Sequence, residues 1–199
     1  LKDFSKENSF HRVMWDHSMD PETEGFIKLK NNSEIKKVIL CSGKVYFDLL
    51  AAREKIKKND VIIFRIEQLY PFPAKSLVKE LKPFAKNANF YWCQEEPKNM
   101  GAWTFIRDRL DSVLSELNHQ SVRAKYVGRV EAASPATGLM KKHIAEQSAL
   151  VDEALTLPKN KPKRSAISTN VPTKKNTQKP KKKPVVKIAA KAPPRRRPS

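Results

Sequence analysis

The chain has 199 residues, 39% of them hydrophobic, and a formal net charge of +19. That length suffices for one domain with its own core, and no apolar run reaches the span of a bilayer. The excess charge is local: residues 158–199 hold 15 Lys and Arg, 8 of the 14 prolines and no acid or aromatic residue, whereas residues 1–157 carry 25 basic and 21 acidic side chains.

Residues 1–34 are mixed and polar and read as a linker from a preceding segment. Because the first residue is Leu1 and the opening reads as a continuation, a C-terminal fragment of a longer protein is expected. Lys36 to Cys41 is a short β-branched run, predicting a buried strand. Ser42 is placed to cap the helix that follows, with Val45, Tyr46, Leu49, Leu50 and Ile56 at helical spacing through about Lys58. Val61 to Ile66 predicts the next strand. Tyr70-Pro71-Phe72-Pro73 breaks it, and Pro73 opens a helix whose inner face is Leu77, Leu81 and Phe84.

Phe90 to Gln94 predicts a third strand ending in a loop with the paired carboxylates Glu95 and Glu96. A helix follows from Trp103 to Leu117, marked by Ile106, Leu110, Val113, Leu114 and Leu117. Val122 to Val127 predicts a fourth strand. Ser134 to Gly138 reads as the approach to a last helix, from about Gly138 to Leu155, with Ile144, Ala149, Val151 and Ala154 apolar. Strands alternating with helices imply an α/β fold: three layers, a mostly parallel sheet with helices on both faces. Residues 35–157 are assigned to this domain. Residues 158–199 bury too little apolar surface to offset chain entropy and are expected to be a disordered basic tail, solvated or attracted to acidic surfaces.

Candidate chemistry is sparse. Cys41 and Cys93 sit at the ends of apolar runs and read as buried free thiols; the four histidines are scattered, and no metal-ligand spacing occurs. Cys41-Ser42-Gly43-Lys44 is a strand-to-helix turn where backbone N–H groups and Lys44 can attract an anion, though Ser42 as a mere cap is the plainer reading. Arg129, after a strand end, can grip a phosphate or carboxylate bidentately, and Ser42, Lys44 and Arg129 are assigned a shared anion pocket. Glu95 and Glu96 are adjacent, point to opposite sides, and are assigned structural or interface roles with Asn99 and Trp103. Arg65 and Glu67 flank Ile66 as an ion pair, with a neighbouring chain or at the surface. No serine or cysteine has a base at recognisable spacing, so no catalytic residue is assigned.

Four stretches carry a family resemblance. They are Cys93-Gln94-Glu95-Glu96-Pro97-Lys98-Asn99-Met100-Gly101-Ala102-Trp103, Val38-Ile39-Leu40-Cys41-Ser42-Gly43-Lys44-Val45-Tyr46-Phe47-Asp48-Leu49, Ile66-Glu67-Gln68-Leu69-Tyr70-Pro71-Phe72-Pro73, and Tyr126-Val127-Gly128-Arg129 with Ala133 to Gly138. In this order and spacing, over roughly residues 1–156, the chain resembles the C-terminal domain of the decarboxylating component of 2-oxoglutarate dehydrogenase.

The resemblance implies a transketolase C-terminal-like fold. It also implies a parent enzyme that uses thiamine diphosphate and magnesium to decarboxylate 2-oxoglutarate and passes the succinyl group to lipoamide in the tricarboxylic acid cycle. Implied partners are a second copy in a homodimer, dihydrolipoyl succinyltransferase and dihydrolipoyl dehydrogenase, in a bacterial cytoplasm or mitochondrial matrix. In some relatives the domain carries an acetyl-CoA or AMP effector site, which favours the anion reading of Ser42, Lys44 and Arg129. The thiamine-binding segment itself is absent from these residues, so the fragment alone is expected to bind no cofactor and to be inactive. A basic nucleic-acid-binding protein and a domain of another thiamine-dependent dehydrogenase or transketolase are the alternatives; the first lacks the interleaved aromatic and basic residues such binders use.

Overall fold

The computed structural model describes residues 10–19, 25–120 and 122–157. Five strands form one sheet: β1 (Val13–Met14), β2 (Lys37–Cys41), β3 (Val61–Ile66), β4 (Asn89–Pro97) and β5 (Lys125–Arg129). Their order is β1-β3-β2-β4-β5. β2, β3, β4 and β5 run parallel, and only β1 is antiparallel, on the outer side of β3. The helices are α1 (Val45–Lys55), α2 (Ala74–Leu81), α3 (Trp103–Glu116) and α4 (Met140–Leu155). The architecture is therefore α/β, a mostly parallel sheet between two helical layers.

Parallel strands covered on both faces must be apolar on both, and all five residues of β2 are buried. One face packs Val38, Leu40, Ile62, Phe64 and Phe90 against Leu77 and Leu81 of α2 and Ile106, Leu110 and Leu114 of α3. The other packs Ile39, Cys41, Ile63 and Cys93 against α1 and α4. The alternation follows directly from the two-residue side-chain period of a strand.

The second face also buries charge. Arg53 of α1 is fully buried and grips both carboxylate oxygens of Asp16, which also accepts the Ile63 N–H at 2.9 Å. Burial by itself lowers the Arg53 pKa, but the hydrogen bond and charge of Asp16 outweigh it and raise the net value. Lys37 points its ammonium at the C-terminus of α4, donating to the carbonyls of Glu153, Ala154 and Thr156 at 3.2, 2.5 and 2.7 Å. Those carbonyls have no intrahelical partner, so Lys37 both caps the helix and meets the negative end of its dipole. Burial pulls the Lys37 pKa down to about 8.

Several expectations are corrected. Ser42 does not cap α1: Lys44 is the residue before the helix, and no side-chain cap bond forms. β4 continues through Glu95 and Glu96 to Pro97 instead of ending in a loop at Gln94, with an irregularity between Gln94 and Pro97. The fourth predicted strand starts at Lys125 and ends at Arg129, so Arg129 lies within β5. Ile56 and Ile144 are exposed, as is Ala149, while Leu150 and Leu155 take the inward positions. The stretch read as a linker supplies β1 and Asp16. The region expected to be a disordered tail lies outside the described residues.

Candidate functional site

The strand order reverses between β2 and β4: the chain steps from β2 outward to β3, then returns across β2 to β4. Ligands in open α/β sheets collect outside the carboxyl ends of the strands at such a point. Here that crevice is a cavity of about 440 Å³, bounded by Ser42 and Lys44 on one side and by Glu95, Glu96, Leu69 and Phe105 on the other.

Arg129 lies elsewhere. It lines a second cavity of about 580 Å³ between β5, α4 and the loop of residues 130–137. Its Nε is 3.3 Å from Glu146, close enough for an ion pair but not aligned as a hydrogen bond. Its Nη2 donates to Gln147 at 3.2 Å and lies 3.0 Å from His143 Nδ1. Gln147 in turn donates to Asp48 at 2.8 Å, and Asp48 accepts from Lys44 at 3.2 Å. Lys44 and Arg129 are thus the two ends of one polar chain, facing different cavities. Lys44 is mostly exposed and Arg129 mostly enclosed, its cavity sharing Glu131, Glu146 and Glu153. An anion reaching Arg129 has to compete with Glu146; an anion reaching Lys44 competes with Asp48 and meets Glu95 and Glu96 across the crevice.

The carboxyl end of β4 is organised by a residue the sequence reading passed over. Gln94 is buried, and its Oε1 accepts from the Trp92 indole and from the Trp103 backbone N–H, both at 2.9 Å. Its Nε2 faces the carbonyls of Glu96, Pro97 and Met100 at 3.3, 3.1 and 2.7 Å. One amide therefore ties the strand, the turn and the start of α3 together. Gly101 closes the turn at φ +65, a backbone angle that favours glycine, and a Cβ there would crowd Gln94 Nε2 at 3.0 Å.

The four residues assigned to structural or interface roles divide. Trp103 is buried, with its ring tilted against that of Tyr126 at a centroid distance of 5.3 Å. Asn99 makes two bonds to the backbone of Ala132, at 2.9 and 3.1 Å. Glu95 and Glu96 line the 440 Å³ crevice, and one Glu95 carboxylate oxygen is buried without a hydrogen-bond partner. Arg65 and Glu67 form an ion pair within the chain at the β3 end.

The chemistry open to these groups is binding and positioning. Cys41 and Cys93 are opposite each other on β2 and β4, both buried. Burial, and then the neighbouring Cys93, pushes the Cys41 thiol well up; burial raises Cys93 to about 12. Neither forms an appreciable thiolate nucleophile at neutral pH. Among the described residues no group of three or more His, Cys, Asp or Glu side chains is placed to hold a metal ion. No helix among them is long and apolar enough to cross a membrane.

Against known proteins, the sequence profile of the family described as 2-oxoglutarate dehydrogenase C-terminal matches residues 1–155. The proteins named 2-oxoglutarate dehydrogenase E1 component from Brucella anthropi, Brucella ovis and Brucella suis are 52% identical to this chain over 155 residues. That stretch is 78% of this chain and 15% of each relative, so the chain spans a small part of the proteins it matches.

Proposed function

The chain belongs to the 2-oxoglutarate dehydrogenase C-terminal family, and from that premise we propose that it is the C-terminal part of an E1 component. The parent oxidatively decarboxylates 2-oxoglutarate and passes the succinyl group to lipoamide in the tricarboxylic acid cycle. The observation that carries this reading is the 52% identity sustained over 155 residues with proteins of that name. Within the parent, residues 35–157 form the terminal α/β domain, residues 1–34 lead into it and residues 158–199 are a basic tail. It works as a homodimer with dihydrolipoyl succinyltransferase and dihydrolipoyl dehydrogenase, in a bacterial cytoplasm or mitochondrial matrix.

Thiamine diphosphate supplies the electron sink for decarboxylation when bound, and its magnesium needs oxygen donors. Among the described residues no group of three or more His, Cys, Asp or Glu side chains is placed to hold that magnesium, and this segment is assigned no cofactor of its own. Its contribution is support: a rigid sheet whose carboxyl edge faces outward with a polar crevice. We assign weak capture of a phosphorylated effector, AMP or acetyl-CoA, to the Ser42–Lys44 side of that crevice, with Arg129 acting through Gln147 and Asp48.

A chimera tests the main reading. Residues 1–155 replace the matching segment of the Brucella anthropi E1 component, and 2-oxoglutarate-dependent reduction is assayed with the other two enzymes of the complex. Activity within about tenfold of the parent is expected; a folded dimer without activity overturns the assignment. Calorimetry of the same chimera with AMP and acetyl-CoA, against its Lys44→Ala form, tests the effector reading. Equal affinities in the two forms would remove Lys44 from any site.

A further inference from the structure

The loop between β5 and α4 has an unusual supply of anchors. Residues 130–136 are all exposed, and the segment wraps the 580 Å³ cavity whose floor includes Arg129 and Leu150. Its own polar bonds are local, from Ser134 Oγ to the Ala136 carbonyl and from Thr137 Oγ1 to the Leu139 carbonyl. Among the described residues, the only hydrogen bonds tying it to the rest of the fold are the two between Asn99 and Ala132. In that pair the amide of Asn99 donates to the Ala132 carbonyl and accepts from the Ala132 N–H, as a neighbouring strand would.

The opposite end of the clasp is rigid. Asn99 sits in the turn whose carbonyls at Pro97 and Met100 are held by Gln94, and whose Lys98 N–H donates to the Arg129 carbonyl at 3.1 Å. The loop re-enters α4 through Gly138 at φ +70, with open space around its α-carbon. A fixed post, one two-bond fastening and a permissive glycine at the far end make a strap with a single release point. Two neutral hydrogen bonds at an exposed site contribute little net free energy, so release is a low-cost local opening and not an unfolding event.

We infer that residues 130–137 are a strap held across the half-open β5–α4 cavity by Asn99, and that breaking this clasp widens the cavity's mouth while the sheet stays intact. The inference is independent of whether an effector binds: it concerns access. It also gives the Glu95-Glu96-Pro97-Lys98-Asn99 stretch a function beyond shaping its own turn, since that turn carries the fastening for a cavity on the neighbouring strand. Cavities of this size commonly admit small molecules.

Amide hydrogen exchange by NMR on the whole 199-residue chain tests it. In the wild type the Ala132 amide should exchange at least about tenfold more slowly than those of Glu131 and Ala133, for which the structure gives no acceptor. In Asn99→Ala that protection should vanish, with exchange in α3 and β3 unchanged. Asn99→Asp, which keeps the acceptor and loses the donor, should retain part of it. An Ala132 amide unprotected in the wild type overturns the inference, and this holds even if no variant can be purified. So does an Asn99→Ala variant whose faster exchange spreads evenly through α3 and the sheet.

Discussion

The two faces of the sheet are stabilised by different means. The α2–α3 face is a continuous apolar layer whose helices bury Leu77, Leu81, Ile106, Leu110 and Leu114 against Val38, Leu40, Ile62 and Phe64. The α1–α4 face has an apolar layer too, but Arg53, Asp16 and Lys37 are buried on that side and fasten parts of the chain that lie far apart in sequence. Asp16 joins the leading segment to α1 and β3, and Lys37 joins β2 to the end of α4. Apolar burial is proportional to area and indifferent to pH, whereas a buried charge is costly unless every partner is present. The first face should therefore tolerate conservative change and the second should fail abruptly.

The largest effect should come from Arg53→Met. It leaves the Asp16 carboxylate buried without its cation, and about 3–5 kcal/mol of unfolding free energy should be lost in urea titrations. Adding Asp16→Leu should recover part of the loss, because the stranded charge goes with it. A single-variant cost below about 1 kcal/mol would show that water reaches the pair. Leu110→Ala on the opposite face should cost roughly 2–5 kcal/mol through lost burial and a cavity, by the same amount at pH 6 and pH 8. A marked pH dependence there would erase the distinction between the faces.

Gln94→Leu should cost about 1–3 kcal/mol, since it strands the Trp92 indole N–H and the Trp103 amide N–H. Tryptophan fluorescence should shift with it, and an unchanged spectrum at unchanged stability would mean the amide is not the hub of the turn.

The smallest effect is the pH profile. The Lys37 pKa is lower folded, about 8, than its ordinary 10.5, so between those values the unfolded chain holds the extra proton and stability rises with pH. Cys41 and Cys93 act oppositely. Their folded pKa values are raised above the ordinary 9.0, so stability falls as pH climbs beyond that. Stability should rise from about pH 8, by no more than roughly 1.4 kcal/mol per unit for one proton, and turn over near pH 9. Lys37→Met should abolish the rise and leave the fall. A profile that declines steadily from pH 7.5 in the wild type contradicts this.

The difference between the faces also explains what could be read from sequence. Periodicity exposes apolar burial, so the strands Lys36–Cys41 and Val61–Ile66 and the inward residues of α2 and α3 were legible. Buried charges have no periodic mark. Lys37 reads as an ordinary polar residue at a strand start because its acceptors lie 116 to 119 positions away. Asp16 was folded into a linker for the same reason, and two-residue β1 is too short to show alternation. Ile144 counts among the apolar residues of the last helix yet is exposed, because α4 meets α1 through Leu150, Val151 and Ala154. At the candidate site, Ser42, Lys44 and Arg129 were recognisable by residue type. That they serve separate cavities depends on strand order, which no local pattern encodes. Gln94 had one available clue, a neutral polar side chain directly after the apolar run Phe90 to Cys93.

Strand order has a temporal consequence during synthesis. Asp16, Arg53 and Ile63 all lie within the first 66 residues, so the charged clasp and the β1-β3-β2 portion of the sheet are complete on a nascent chain before β4 has been made. At about 5–20 residues per second, α3 follows some seconds later. Through that interval Val38, Leu40, Ile62 and Phe64 present a bare apolar wall beside the ribosome, waiting for the helices that cover it. The Asp16–Arg53 clasp is thus the part of the charged face that can form first, while Lys37 waits for the end of α4 and the opposite, mainly apolar face waits for α2 and α3.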